Sequence, residues 1–597
     1  MTLLGKNISL DRSGKDPVTF CARSLIFIVS VAVVLALVLD YGFVLDESER
    51  RATGIVYKFS WWFFFSLYLL EIFFKRNFIN RHSLAMTIVM ASLLLLSLLA
   101  KFIFPLHVFA SRRLTSLILG LFSLIEISRG VIRLINKKSN PALLLSGTFL
   151  VLIIIGTILL LVPCSTLPHI RLSIVDSLFV ATSAVCVTGL SPVDISSTFT
   201  LGGQLVILVL IQIGALGVMT VTSFFTLFYM GETGLFSQFA LKDMIGSDTF
   251  SSLFSTLLYI VGFTFAIETA GVLLLWLSIH GTLGMSLQEE LFFSIFHSIS
   301  AFCNAGFSTL EGNLGNGLIM NGHNMFYLFI SLLIVLGSIG FPILVNFKDI
   351  LLHLWRRYFW IGRKGELKEV RYAHMLTLNT KMVLYMTAIL IIAGALSIAL
   401  FEWNRAFANM EISDKIIHSI FNAIAPRTAG FNSVDLASFS ILSIILYSIL
   451  MWIGGASQST AGGIKVNTFM VAAANFLSIL KGSDNCTVFK REVTYQSIRR
   501  ASAIIFGSLS TIFLFWFILI ILEPGIRPYR LLFETISAIS TVGSSLDLTP
   551  QLGSESKVLL SLLMYVGRVG LITILTSLMQ TRRTCLFRYP QESVIIN

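Results

Sequence analysis

A chain of 597 residues that is 55% hydrophobic and only 12% charged, with a mean hydropathy of +0.86, carries more apolar surface than a water-soluble core can enclose, so it reads as a polytopic membrane protein. Its net charge of +12 does not point to nucleic acid, because no basic soluble domain accompanies it. The six cysteines, Cys21, Cys164, Cys186, Cys303, Cys486 and Cys585, are scattered without a Cys-x-x-Cys pair, which excludes a disulfide frame or a zinc site and leaves small buried hydrophobes.

The first residues are polar, and the apolar run from Cys21 continues past signal length, so no targeting peptide is expected. Apolar runs of about 20 residues predict twelve spans. They lie near 22–44, 57–79, 83–105, 114–134, 142–162, 203–228, 253–279, 324–346, 379–401, 440–463, 502–522 and 556–579. Basic residues cluster at Lys6, Arg12, Lys15 and Arg23, at Lys75, Arg76 and Arg81, and at Arg133, Lys137 and Lys138. They recur at Arg356, Arg357, Arg363, Lys364, Lys368 and Arg371, at Lys481, Lys490, Arg491, Arg499 and Arg500, and at Arg582, Arg583 and Arg588. All of these fall on one side of a twelve-span path, which predicts cytoplasmic termini. Arg112 and Arg113 fall on the other side, and the cytoplasmic loop 232–248 is nearly neutral.

The first four spans, within 1–139, stand apart from the remainder of the chain. Glu126, Arg129 and Arg133 share a helical face there. A voltage sensor needs several arginines at every third position, so these read as topology anchors with an ion pair, and the region as a packing or dimerisation element.

Beyond it, Gly189, Gly306, Gly430 and Gly543 recur at spacings of 117, 124 and 113 residues, each after a short apolar stretch and before a long one. That period is too long for a solenoid unit. It fits four units of spanning helix, half-length helix with loop, and second helix, at 140–250, 251–376, 377–500 and 501–597. Phe179, Ser183 and Ala184 recur at identical offsets as Phe296, Ser300 and Ala301 and as Phe533, Ser537 and Ala538. The third unit is one residue shorter, with Phe421 and Ala425. One helix later come Gly214 and Gly217, Gly337 and Gly340, and Gly567 and Gly570. The third unit expands this pair to Gly454-Gly455-Ala456-Ser457-Gln458-Ser459-Thr460-Ala461-Gly462-Gly463. The fold class is therefore all-α, with four tandem helix/pore-loop/helix units around one pseudo-fourfold pore, preceded by four extra transmembrane helices.

A cation crossing hydrocarbon must exchange water for protein oxygens, and extended backbone is tolerated at membrane depth only where it lines a cavity. Glycine admits positive φ, which lets successive carbonyls face one way, and lets four loops approach one axis. The half-helices direct their partly negative C-termini at the ion, favouring cations. Arg427 is the one basic residue beside these loops, so an anion pore is poorly supported.

The strings Ala181-Thr182-Ser183-Ala184-Val185-Cys186-Val187-Thr188-Gly189-Leu190, Ser300-Ala301-Phe302-Cys303-Asn304-Ala305-Gly306-Phe307, Pro426-Arg427-Thr428-Ala429-Gly430-Phe431-Asn432 and Ile539-Ser540-Thr541-Val542-Gly543 closely resemble the filter loops of the Trk/Ktr/HKT superfamily of potassium transporters, specifically its bacterial membrane subunits. The likeness covers about residues 140–580. It implies a single-file potassium pathway through the inner membrane, with K+ held by Val187, Thr188, Gly189, Asn304, Ala305, Gly306, Thr428, Ala429, Gly430, Thr541, Val542 and Gly543. A glycine in all four loops goes with potassium preference in that family, and a serine in the first loop with sodium permeation.

Glycine pairs at roughly 1 kcal/mol per residue relative to alanine make a continuous helix through 454–463 untenable. The resemblance implies that this break is a gating loop under the filter, with Gly454, Gly455, Ser457, Ser459, Thr460, Gly462, Gly463 and Lys465 in the gate. A phosphate-binding loop is excluded by the missing Gly-Lys-Ser/Thr ending. Arg568 is an intramembrane cation, which by default faces a wet cavity or a partner. The family places an arginine there in the pore, and the alternative is an ion pair with a buried carboxylate such as Glu268. Lys465 either tethers the loop or snorkels to the interface. Glu268 reads as an internal hydrogen-bonding anchor, and His297 and His418 as structural histidines. Asp194 and Asp547 either line an outer vestibule or make turns.

The resemblance also implies a homodimer on a ring of cytosolic nucleotide-binding gating subunits. The basic loops 348–375 and 478–500 supply either that dock, positive-inside anchors or contacts to anionic membrane lipid. K+ is expected as the transported ion, with no organic cofactor. The competing readings are a sodium-permeable or ion-coupled symporter of the same fold, and a membrane enzyme. The enzyme is disfavoured because no His-Glu-x-x-His or paired-aspartate cluster is present. A coupled transporter with inverted repeats is disfavoured because the four units share one orientation and the midplane is almost charge-free.

Overall fold

The computed structural model describes residues 17–43, 46–75, 141–217, 253–320, 322–360, 377–483 and 485–570, with single positions between 92 and 123 and at 573 and 575. The spans expected near 83–105 and 114–134, apart from those single positions, lie outside the described residues. So do Arg112 and Arg113, the Glu126/Arg129/Arg133 face, the neutral loop 232–248 and the stretch 361–376. Among the described residues the architecture is helical, with one two-residue hairpin pairing Thr487–Val488 with Arg491–Glu492.

Helices α1 (Pro17–Gly42) and α2 (Glu47–Lys75) pack together around Val33, Phe64, Leu119 and Phe122. Thereafter shorter helices are interspersed among longer ones. Helices α3 (Pro141–Leu161), α4 (Ile174–Val185) and α5 (Leu201–Leu216) come first, followed by α6 (Leu253–Ile279), α7 (Leu287–Phe302), α8 (Asn324–Ile339) and α9 (Phe341–Trp360). Next are α10 (Leu378–Glu402), α11 (Ile412–Ile424), α12 (Ile441–Trp452) and α13 (Val466–Leu480), and finally α14 (Tyr495–Leu522), α15 (Pro528–Ile539) and α16 (Ser554–Val569).

The helices that lead into the four glycines, α4, α7, α11 and α15, are short and the most buried. Three of them have a definite start: Ser173 caps α4 by accepting from the Asp176 N–H, Ser286 and Glu289 form a capping box on α7, and Pro528 opens α15. Their recurring phenylalanines, Phe179, Phe296, Phe421 and Phe533, are almost wholly buried. Long helices such as α10 and α14 instead leave Leu396, Leu400, Phe506 and Phe517 exposed. In water that would be a large penalty, but against lipid tails these side chains lose nothing, and the internally bonded helix satisfies its own backbone.

Four helices, Leu25–Gly42, Leu258–Ile279, Leu378–Glu402 and Tyr495–Leu522, are long and apolar enough to cross a membrane among the described residues. A bent pair, Asn324–Ile339 with Phe341–Lys348, makes a fifth, broken by 99°. This corrects the expectation of continuous helices through 203–228, 324–346 and 556–579. Helices α5, α8 and α16 end at Gly217, Gly340 and Gly570, whose φ values of 78°, 98° and 91° are closed to a continuing right-handed helix. Hydropathy runs on past these glycines, so the sequence pattern does not show the stop. The break expected at 454–463 is present and slightly longer, since α12 ends at Trp452 and α13 begins at Val466.

Candidate functional site

Each short buried helix runs directly into one of the four glycines through the same backbone path. Two residues before the glycine stands a non-glycine residue in the left-handed region: Val187 (φ 56°), Asn304 (φ 59°), Thr428 (φ 88°) and Thr541 (φ 47°). For β-branched Val187, Thr428 and Thr541 this conformation costs on the order of 1–3 kcal/mol each and is held only because the surroundings dictate it. Gly189, Gly306, Gly430 and Gly543 follow, also at positive φ. Returning hydrogen bonds fix three turns in the same way, with the Thr188, Ala305 and Val542 N–H groups donating to the Ser183, Ser300 and Ser537 carbonyls at 2.8, 2.7 and 2.9 Å. In the shorter third loop both Ala429 and Gly430 donate to the Ala425 carbonyl.

The four glycines close a ring. A Cβ on Gly189 would lie 2.4 Å from the carbonyl oxygen of Ala305, one on Gly306 2.4 Å from that of Ala429, one on Gly430 2.1 Å from that of Val542, and one on Gly543 2.0 Å from that of Thr188. Each glycine therefore gives up its side chain to the carbonyl of the next loop, and the fourth returns to the first. Thr188, Ala305, Ala429 and Val542 supply those four oxygens. A cycle of backbone carbonyls at the ends of four helix C-termini is an arrangement that favours a desolvated cation.

A second set of close approaches locks the ring to its surroundings. Cβ atoms on Gly214, Gly337 and Gly567 would fall 2.0–2.1 Å from the carbonyl oxygens of Val185, Phe302 and Ile539, at the ends of α4, α7 and α15. Only glycine lets α5, α8 and α16 lie this close.

The loop between α12 and α13 packs against two of the glycine turns. Ile453 and Ile464 pair as an isolated parallel bridge, and the Gly454 N–H donates to the Ile464 carbonyl at 2.9 Å, so the loop returns on itself. Gly455 approaches Ser338, whose carbonyl accepts from the Ala456 N–H, while the Ser457 carbonyl lies close to Gly340. Ser459 Oγ donates to the Ala456 carbonyl at 2.7 Å. Thr460 Oγ1 is 3.2 Å from Asn304 Nδ2 and also reaches the Phe302 and Gly337 carbonyls at 3.2 and 3.0 Å, which joins the loop to the second glycine turn. A Cβ on Gly462 would strike Thr541 Oγ1 at 1.7 Å, and Gly463 packs on Ser540, which joins it to the fourth.

Three cations hold this loop by its carbonyls. Arg568 donates from Nη1 to the Thr460 carbonyl at 2.6 Å and from Nη2 to the Gly214 carbonyl at 2.7 Å. Lys465 Nζ donates to the Ala461 carbonyl at 2.5 Å, and Arg427 Nη2 reaches the Gly454 carbonyl at 3.4 Å and Thr387 Oγ1 at 3.3 Å. Of the alternatives open for Arg568, the ion pair with Glu268 is therefore not the one formed. Lys465, for which the sequence leaves a tether or snorkelling open, turns its Nζ to a carbonyl of the loop itself.

Glu268 is buried and accepts from Gln212 Nε2 at 3.0 and 3.2 Å, while the Cys303 thiol lies 3.7 Å away beside the second glycine turn. Gln212 was not singled out by the sequence, although it is an amide in the apolar run of α5. His297 is satisfied on both nitrogens, by the Phe293 carbonyl and by Ser308 Oγ, each at 2.9 Å. His418 is buried against the rings of Tyr327 and Phe407. Asp194 caps a turn by accepting from the Ser196 N–H and hydroxyl. Burial and the adjacent Asp435 push the Asp547 carboxyl above the usual carboxylate range.

A family model described as TrkH, cation transport protein, matches residues 135–582. The chain is 35% identical over 461 residues to the Ktr system potassium uptake protein B of Bacillus subtilis, spanning 77% of this chain and 97% of that protein. It is 31% identical over 471 residues to the potassium/sodium uptake protein NtpJ of Enterococcus hirae, spanning 77% and 98%. The crystal structure of the potassium transporter TrkH from Vibrio parahaemolyticus aligns with 93% of this chain and 98% of its own at a TM-score of 0.56 and 17% identity, a likeness of fold. These relatives are named as uptake and transport proteins, not enzymes. By the reach of the family match and by its identity to nearly whole relatives, this chain belongs to the TrkH family of cation transport proteins.

Proposed function

We propose that this chain is the ion-translocating subunit of a potassium uptake system of the cytoplasmic membrane. Its four units at 140–250, 251–376, 377–500 and 501–597 surround one pseudo-fourfold pore, with 1–139 as an additional four-helix membrane region and both termini cytoplasmic. The observation that carries the reading is the closed cycle in which each of Gly189, Gly306, Gly430 and Gly543 accommodates the carbonyl of the next loop. Thr188, Ala305, Ala429 and Val542 then form a single layer of oxygens that replaces the hydration shell of K+. The residues two before each glycine turn the chain so that neighbouring carbonyls add to that layer. Two relatives, those from Bacillus subtilis and Enterococcus hirae, carry potassium in their names, which supports this choice of cation.

The loop at 454–463 is the gate in this reading, with Arg568 and Lys465 as latches. Tied to the second and fourth glycine turns, it lies across the pathway in a closed conformation. A homodimer on a cytosolic nucleotide-binding ring is the proposed assembly, docked through 348–375 and 478–500, whose described part includes the Thr487–Glu492 hairpin.

Potassium-limited growth of a bacterium lacking its own uptake systems tests the proposal, comparing the chain with its Gly189→Ser variant. Rescue by the original, with the variant losing it or admitting sodium, supports a glycine filter. Absence of rescue by a well-expressed protein supplied with a gating subunit rejects it. A second reading, sodium permeation, is favoured by the potassium/sodium name of the Enterococcus hirae relative. Equal uptake of sodium by the unmodified chain would select it.

A further inference from the structure

Behind three of the four glycine turns a polar side chain of the buried helix reaches the serine beyond the turn, always across eleven residues. His297 Nε2 is 2.9 Å from Ser308 Oγ, Asn422 Nδ2 donates to Ser433 Oγ at 2.8 Å, and Ser545 Oγ donates to Glu534 Oε1 in a short hydrogen bond, each pair separated by 11 in sequence. His297, Asn422 and Glu534 are fully buried, so the helix end of each bond is shielded from water. The partners are of three chemical kinds, an imidazole, an amide and a carboxyl, yet they do the same thing. They tie the limb that leaves the glycine to the helix that enters it.

The bonds around each pair agree in direction. His297 Nδ1–H donates to the Phe293 carbonyl, so in the neutral ring Nε2 accepts the Ser308 hydroxyl proton, and Ser308 Oγ in turn accepts from the Leu310 N–H at 3.0 Å. Asn422 Nδ2 also donates to the His418 carbonyl at 2.9 Å, which fixes the amide. Glu534 takes Thr549 Oγ1 at 3.2 Å on its second oxygen.

The first turn lacks this tie. The residue at the position of His297 and Glu534 is Val180, wholly buried and without a polar atom, and Ser191 Oγ turns instead to the Val193 carbonyl at 2.6 Å. Its glycine is steadied from the inner side alone, by the Gly189 N–H donating to Ser183 Oγ at 3.0 Å, as Gly543 is by Ser537 at 3.1 Å. The third turn is the converse: Ala425 stands where the others have serine, and Asn422 to Ser433 is its side-chain tie. The second and fourth turns have the outer tie together with a bond to the helix serine, in the fourth from the Gly543 N–H to Ser537 Oγ and in the second from Ser300 Oγ to the Phe307 carbonyl at 2.8 Å.

We infer that His297–Ser308, Asn422–Ser433 and Glu534–Ser545 are positioning braces that set the spacing of the carbonyl ring, and that the unbraced first turn is its compliant wall. The inference rests on the reading of the ring as a cation filter and specifies which residues regulate its discrimination. A ring of four carbonyls rejects the smaller Na+ only as far as its walls resist closing in. Removing a brace therefore weakens discrimination first and transport capacity last.

The test uses the full chain in proteoliposomes, measuring uptake of K+ and of Na+ for Ser308→Ala, Ser433→Ala and Ser545→Ala, with Ser191→Ala as the same deletion in the turn that has no brace. Loss of one buried hydrogen bond predicts a fall in K+ over Na+ preference of about three- to tenfold. The KM for K+ rises while the maximal rate changes little. Ser191→Ala keeps the original preference. His297→Leu matches Ser308→Ala, the two together are no worse than either, and His297→Asn, which can bond Ser308 as Asn422 bonds Ser433, restores the preference. Equal effects of all four serine substitutions, or unchanged preference in the three braced turns of well-folded protein, overturn the braces. A failure of the unmodified chain to take up K+ at all overturns the filter reading instead, so the two failures are distinct.

Discussion

The guanidinium of Arg568 and the carbonyl oxygen of Thr460 lie 2.6 Å apart, and the other arm of the same guanidinium holds the Gly214 carbonyl at 2.7 Å. Arg568 thus bridges the end of α5 to a loop that contacts two glycine turns. A hydrogen bond from a charged donor contributes about 1.5–3 kcal/mol. Replacing Arg568 by Gln, which retains one donor group but no charge, is expected to raise rubidium tracer uptake into proteoliposomes by about tenfold in the absence of a gating subunit. An unchanged rate would mean that the arginine is not a latch.

Within the loop, Gly462 is the point of closest approach to the fourth turn. Its added methyl would meet Thr541 Oγ1 at 1.7 Å and the Ser540 carbonyl at 2.8 Å. Thr541 is already held in the left-handed region and the Ser540 contact is backbone, so the loop is the part that yields. Gly462→Ala and removal of 454–463 are therefore both expected to increase basal flux in correctly folded protein. Reduced flux from both would assign the loop a supporting role and not a blocking one.

The ring itself tolerates no such displacement. At Gly306 a Cβ would sit 2.4 Å from the Ala429 carbonyl, with φ at 71°, whereas at Gly281 the same φ of 71° faces open space. Gly306→Ala is expected to abolish uptake. Gly281→Ala should cost about 1–2 kcal/mol of stability and leave transport intact, because it carries backbone strain without a collision. Initial uptake rates and thermal unfolding of the two purified variants make the comparison, and equal transport by both would break the link between ring and pathway.

How far these features are legible in the sequence depends on the kind of contact each one makes. The four glycines are legible because every loop needs the same missing side chain, so the requirement repeats along the chain. The broken helix at 454–463 is legible because glycine and hydroxyl residues interrupt an apolar run. The stops at Gly217, Gly340 and Gly570 are not, since Val218, Phe341 and Leu571 continue the hydropathy beyond them. The partners of Arg568 are backbone carbonyls, which leave no mark in a sequence, so a carboxylate is the visible but incorrect alternative. Gln212 escapes notice because a single amide in an apolar run has no motif. The pairs His297–Ser308, Asn422–Ser433 and Glu534–Ser545 cross a non-helical turn, so no helical or alternating period brings their members together, and their differing chemistry hides the shared offset.

Acid sensitivity should begin at the N-terminal end of α7. Glu290 accepts from His280 Nδ1 at 2.9 Å and from the Gly281 N–H at 3.0 Å, and these bonds hold its carboxyl below the usual carboxylate range. A group depressed in the folded state contributes stability above its unfolded pKa, about 4.3 for glutamate, and that contribution is lost as the pH falls through the lower folded value. Glu290→Gln should therefore lower the melting temperature of detergent-solubilised protein near neutrality. The gap between variant and original should then close progressively below about pH 4, where the original loses its advantage. Since Glu290 lies at the start of the helix that carries the Gly306 turn, uptake should fall together with the melting temperature over the same interval. A gap in melting temperature that stays constant down to about pH 3 would show that the carboxylate's charge plays no part in holding α7.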